Sequence, residues 1–394
     1  MKNWVKATIP VAVVVILFLS FVAFGDDGRE SITATVVEAS SSTGFLLDIS
    51  HEDIESLGAD FGYDLYLEYE GKRYVAMYAK DFSGVTTGSL FINYDTEANE
   101  MTVALYNGLI TKEMGVEPGD KFKISLDALN SYYEVIPHYI AGYTDDREDY
   151  PSDQAYGNYR FVTVGDIEDG TFYRTASPWL APGGRNVLCD DFMREIGAEY
   201  LISLDRSDKE IAELCDKNPN LYASSLYEEG RVIGVKVSPA IFSYPDEIRE
   251  ILENYMKSDG TVGINCAYGK DRTGIYSTIF EALGGASYEE IRHDFMTSIC
   301  NYYFIAEGGE EYEAVAHIYI DRVLYIFAHP EIIDHYLDVN WEGLDYEPYD
   351  PETEYMGFLT GYVGLSEEFV DAVKGKLRGG TQITGSADEA LALA

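Results

Sequence analysis

Cys266 and Arg272 stand with five residues between them, Ala267-Tyr268-Gly269-Lys270-Asp271, and Thr273-Gly274 follow at once. The residues before this set, Thr261-Val262-Gly263-Ile264-Asn265, read as a short strand, and Ile275 to Leu283 reads as a helix. A tight loop between a strand end and a helix start gathers backbone N–H groups and the positive end of the helix around one point, and such a point suits a phosphate. The same field favours the thiolate of Cys266, the form in which a cysteine attacks. Arg272 adds a planar fork for two phosphate oxygens, Lys270 a second cation, and Thr273 a hydroxyl for the sulfur. Asp271, next to Arg272, can move a proton to or from a leaving oxygen, and the upstream carboxyls Asp205, Asp208 and Asp246 compete for that role. A buried structural cysteine beside a solvated Lys-Asp-Arg run is the plainer alternative. A nucleotide-binding loop is excluded by the absence of Gly-x4-Gly-Lys-Ser/Thr.

The run Gly269-Lys270-Asp271-Arg272-Thr273-Gly274 behind Cys266 resembles the signature of the cysteine-dependent protein tyrosine phosphatases, in the form used by their bacterial tyrosine and lipid phosphatase-like branch. Phe172-Tyr173-Arg174-Thr175-Ala176-Ser177-Pro178 and Ile291-Arg292-His293-Asp294-Phe295-Met296-Thr297-Ser298 resemble flanking segments of that branch, so the likeness covers about residues 158–340. It implies a phosphoric monoester hydrolase working through a phosphocysteine. Cys266 would be the nucleophile, Arg272 the phosphate fork and Asp271 the acid, with Ala267, Tyr268, Gly269, Lys270, Thr273 and Arg174 around the substrate. No cofactor and no metal are implied. Protein phosphotyrosine or another phosphomonoester is the expected substrate, with inositol polyphosphates or phosphoinositides the alternative class. The family usually carries His directly before the nucleophile, and here Asn265 takes that place. The exchange leaves open a catalytically weak phospho-ligand binding protein outside the cytoplasm.

The elements that must position this set follow from the rest of the chain. Of 394 residues, 28 are Lys or Arg and 69 are Asp or Glu, a net charge of -41 that repels nucleic acid and anionic lipid surfaces. With 46% hydrophobic residues the chain has ample core; its oligomeric state is not legible. Residues 1–28 carry Lys2 and Lys6, an apolar run from Ala7 to Phe24, then Asp26-Asp27, which reads as a signal peptide or membrane anchor. The expected location is outside the cytoplasm, anchored by residues 5–24 or secreted. A thiolate at Cys266 leaves Cys189, Cys215 and Cys300, an odd number, which argues against a disulfide framework.

Residues 29–142 alternate in strand fashion, in Thr33–Val37, Asp64–Tyr69, Tyr74–Tyr78, Ser89–Asn93, Met101–Leu105 and Lys121–Leu126, and read as a small β-rich domain. Leu90-Phe91-Ile92-Asn93-Tyr94, Asn107-Gly108 and Met114 to Lys121 loosely resemble the carboxy-terminal β-domain of the S-adenosylmethionine hydroxide adenosyltransferases. That family's catalytic domain has no counterpart here, so a barrel reused for packing or partner binding is expected. Residues 143–157 read as a solvated linker, 158–345 as the phosphatase-like domain, and 346–394 as an acidic extension, partly disordered. The fold class expected is α/β: a phosphatase domain with a central, mostly parallel sheet flanked by helices, preceded by the β-rich domain and the amino-terminal segment.

Overall fold

Alternating apolar and polar residues give each amino-terminal strand one buried face, and closure of the strands on themselves removes the exposed edges. The computed structural model describes residues 29–40, 44–80, 85, 87–96, 98–127, 144–238, 240–258, 260–341 and 350–379. In it β1 (Ser31–Ser40), β2 (Gly44–Leu47), β3 (Asp64–Tyr69), β4 (Lys72–Ala79), β5 (Leu90–Asp95), β6 (Glu100–Leu105) and β7 (Lys121–Leu126) form a closed barrel. Their order is β1-β2-β6-β5-β4-β3-β7, with β7 returning to β1. Phe45, Leu65, Leu67, Ile92, Val103, Phe122 and Ile124 fill the interior. The β3–β4 hairpin turns at Glu70-Gly71, both at positive φ, the geometry that matches the strand twist. Two short helices, α1 (His51–Ser56) and α2 (Ile110–Met114), flank the barrel.

Strand and helix then alternate. A five-stranded sheet has the order β11-β10-β12-β9-β8, formed by β8 (Arg160–Phe161), β9 (Phe172–Ala176), β10 (Tyr200–Ser203), β11 (Val232–Gly234) and β12 (Val262–Cys266). The central β12 runs parallel to β9 and β10, as short buried strands with crossover helices should. Preceding the sheet is α3 (Asp153–Gly157); the crossovers are α4 (Arg185–Glu195), α5 (Asp208–Lys217), α6 (Tyr222–Glu228) and α7 (Pro245–Tyr255). Successive strand residues feed opposite faces. Tyr200, Ile202, Val262 and Ile264 face α7 and α8 (Asp271–Leu283), while Tyr173, Leu201 and Val232 face α4, α5 and α6. Beyond α8 come α9 (Tyr288–Tyr303), α10 (Glu310–Ala316), a π-helical turn (His317–Asp321), α11 (Arg322–Ala328), α12 (Pro351–Gly357) and α13 (Glu367–Leu377). The barrel interior and the α8 side of the sheet form one continuous apolar core.

Three expectations change. The expected location is corrected, because no helix among the described residues is long and apolar enough to cross a membrane. The long buried helix α8 has 13 residues and would reach about 20 Å against a hydrocarbon core of about 30 Å. The run from Ala7 to Phe24 lies outside the described residues. The stretch 143–157 is more than a solvated linker from residue 144 on: Tyr150 and Tyr156 stack on the buried guanidinium of Arg185, whose Nη1 donates to the Tyr156 carbonyl at 2.9 Å. Nor is 346–394 a uniform extension. Tyr355, Phe369, Val370, Val373 and Leu377 are buried on α12 and α13, and Tyr355 donates to Thr278 of α8 at 2.9 Å; residues 380–394 lie outside the described residues.

Candidate active site

The strand that ends on Cys266 is buried along its whole length. Gly263 lies under the ring of Tyr173, where a Cβ would come within 2.1 Å of the ring. After Cys266 the chain must bend back sharply, and Gly269 allows it at a φ of +66°, where a Cβ would also stand 2.6 Å from the backbone of Thr175 and Ala176. The loop carbonyls are bound from behind. Ser177 N donates to Ala267 O at 3.2 Å, and Asn158 Nδ2 donates to Tyr268 O at 2.9 Å and Gly269 O at 3.1 Å. Arg174 Nη2 donates to Gly269 O at 3.2 Å. With the carbonyls so engaged, the backbone N–H groups of Ala267, Gly269, Asp271 and Arg272 donate to no described residue. Four free donors at the start of a 13-residue helix, at the carboxyl end of a central parallel strand, form a cradle for an anion.

Behind the loop lies a second set of charged residues, shielded from solvent. Arg174 is wholly buried and donates to Asp294 Oδ2 at 2.6 Å, while Arg160 Nε donates to Asp294 Oδ1 at 2.7 Å and its Nη1 to Ser298 Oγ at 3.1 Å. Burial would push the Asp294 carboxyl up, but the two guanidiniums hold it far below the carboxylate range. Glu281 on α8, 4.0 Å from Arg174, is driven the other way, well above the carboxylate range, by burial and by the charge of Asp294. Arg174 was expected on the substrate; it is committed to Asp294 and to the Gly269 carbonyl, so its place is under the loop.

The loop's open side is different. Arg272 is half-buried and makes no hydrogen bond or ion pair with the described residues. Thr273 Oγ1 is buried and unpartnered, as are both amide atoms of Asn265. Lys270, expected as a second cation for substrate, is 4% exposed; its Nζ donates to Asp271 Oδ1 at 2.6 Å and lies 5.1 Å from the Tyr303 ring. Tyr319, from the π-helical turn, donates to the same Oδ1 at 2.7 Å. Asp271 Oδ2 is left without a described partner, and the side chain is 32% exposed. Burial pushes this carboxyl up, but Lys270, Tyr319 and Arg272 outweigh it and hold it below the ordinary range. Of the competing carboxyls, Asp208 and Asp246 are exposed and Asp208 Oδ1 is taken by Gly234 N at 2.7 Å. Asp205 is buried beyond the end of β10, and burial pushes its carboxyl up against the pull of Arg206 and Arg272. All four cysteines are unpaired.

Asn158, Arg160, Glu281 and Tyr319 had no local signal. Asp294 sat inside a segment already noted, but its partners lie 134 and 120 positions away.

Cys266 and the open Arg272 stand at the two ends of this loop of free N–H groups. The tyrosine phosphatase family matches residues 196–378, and this part of the chain is similar to that family. No curated protein matches. Among solved structures, the crystal structure of an uncharacterized conserved protein from Thermotoga maritima is similar at 23% identity, over 24% of this chain and 36% of that one, with a TM-score of 0.23. The likeness of the barrel to the adenosyltransferase β-domain is not shown by these matches.

Proposed function

We propose that the protein hydrolyses phosphotyrosine and similar aryl phosphates through a phosphocysteine. The Cys266 thiolate attacks phosphorus, the phosphorus–oxygen bond to the alcohol breaks, and the leaving oxygen takes the proton of Asp271. Water then gives a proton to Asp271 and attacks the phosphocysteine, which releases phosphate and restores the thiolate. Arg272 and the free N–H groups stabilise the equatorial oxygens in both steps, and Thr273 Oγ1 stabilises the leaving sulfur. The observation that carries this reading is the loop itself: carbonyls bound from behind, N–H groups and Arg272 left open beside Cys266. Asp271 fits the proton role because Oδ1 is pinned and Oδ2 is not.

Monophosphates are favoured over inositol polyphosphates because the charge of Lys270 is already met by Asp271 and because a net charge of -41 repels a polyanion. Purified protein should hydrolyse p-nitrophenyl phosphate, with Cys266→Ser at background and Arg272→Lys losing most of its turnover. Undiminished turnover in Cys266→Ser would sink the mechanism. No turnover by the unaltered protein, with retained phosphate binding, would favour the binding-protein reading to which Asn265 points.

A further inference from the structure

The geometry points to Tyr106, a residue of the barrel, as a positioning residue of the phosphatase site, acting through Tyr319 on Asp271. Its hydroxyl lies 3.3 Å from that of Tyr319, whose own hydroxyl lies 2.7 Å from Asp271 Oδ1. Tyr319 gives its proton to the carboxylate, so its oxygen accepts from Tyr106. The result is a chain of donors, Tyr106 to Tyr319 to Asp271, that crosses from one folding unit to the other. In a partly buried site each such bond strengthens the next.

The barrel holds Tyr106 firmly enough to matter. Tyr106 follows β6, and its backbone is bound on both sides, N to Ser89 O at 3.0 Å and O from Gly88 N at 2.9 Å. Arg322, three positions after Tyr319, donates to Ser89 Oγ at 3.0 Å and to Thr87 O at 3.4 Å. Both tyrosines are thereby tied to the same seam. The π-helical turn that carries Tyr319 is pinned in turn, since Tyr288 and Arg292 of α9 donate to Asp321 Oδ1 at 2.7 and 3.0 Å. Such turns insert an extra residue and re-aim side chains, often at functional sites. The groups facing Asp271 are then Lys270 and Arg272 from its own loop, Tyr319 from the π-helical turn, and Tyr106 from the barrel behind Tyr319.

This rests on the role given to Asp271 above, and the test separates the two. Tyr106→Phe and Tyr319→Phe keep the rings and so the packing. Loss of a donor lets the Asp271 carboxyl hold its proton to higher pH, so the alkaline limb of the pH profile with an alkyl phosphate moves up. The shift should be larger for Tyr319→Phe, smaller for Tyr106→Phe, and in the double variant no greater than in Tyr319→Phe alone. A carbon-13 NMR titration of the Asp271 carboxyl in the full chain should show the same order without any turnover. A Tyr106→Phe titration and pH profile that superimpose on those of the unaltered protein, or strictly additive shifts, overturn the proposal while the role of Asp271 stands. If instead the titration shifts but Asp271→Asn slows alkyl and nitrophenyl phosphates equally, the link holds and the acid assignment fails.

Discussion

Two charged clusters meet at the Cys266–Arg272 loop, and they are built from the same kinds of residue to opposite ends. Behind the loop, Arg174, Asp294 and Glu281 are buried and Arg160 nearly so, and both arginines donate to Asp294 and to Ser298. In the loop, Lys270, Asp271 and Arg272 are only partly satisfied: one carboxylate oxygen, one guanidinium and several N–H groups have no described partner. Nothing in the residue types separates the clusters. What marks the second for chemistry is that its open polar capacity lies at an accessible surface, whereas the rear set, where Arg174 Nε and both Glu281 oxygens also lack a hydrogen-bond partner among the described residues, is sealed from substrate by burial.

The sharpest way to test the contrast is to break one carboxylate in each cluster. Asp271→Asn should cost on the order of 10²- to 10⁴-fold in turnover of alkyl phosphates and much less for nitrophenyl phosphates, which need little protonation. Equal slowing of both would move the acid to Asp205, the carboxyl that burial pushes up. Asp294→Asn should instead unfold the protein at lower temperature. Removing a buried charge that serves two arginines costs about 3–5 kcal/mol, and turnover should fall for every substrate alike because the loop loses its backing. A variant of Asp294 with an unchanged melting temperature would show the rear cluster to be less closed than its distances imply.

The smallest effect is expected at the seam between barrel and phosphatase layer. Glu113 accepts from Leu337 N at 2.9 Å there, and burial pushes its carboxyl up to about 7. The folded state therefore holds this proton more tightly than the unfolded chain, whose carboxyl ionises near 4.5. The stabilising share is complete below that value and is lost as pH rises to about 7. Glu113→Gln should flatten the melting temperature across that window; an unchanged slope would assign it to other groups.

The barrel strands were readable because each alternates and ends in turn residues, except Gly44–Leu47, whose four residues are too few to show a period. The helices α12 and α13 were hidden by their acid. Glu352, Glu367 and Glu368 suggested a solvated tail, yet Phe369, Val370, Val373 and Leu377 recur at helical spacing on the buried side. Periodicity was the better guide than charge.

From the order of residues alone came the candidate set, because a strand, a five-residue loop and a helix start are local, and short-range sterics hold Cys266 and Arg272 at the two ends of one loop. The partners of that set came only with the tertiary structure. Arg174 was drawn under the loop by Asp294, Lys270 was spent on Asp271, and Tyr106 reached the site across 213 positions of chain. Contacts at such separations follow from which surfaces bury against each other, and burial then decides which charges are closed off and which stay open to a substrate.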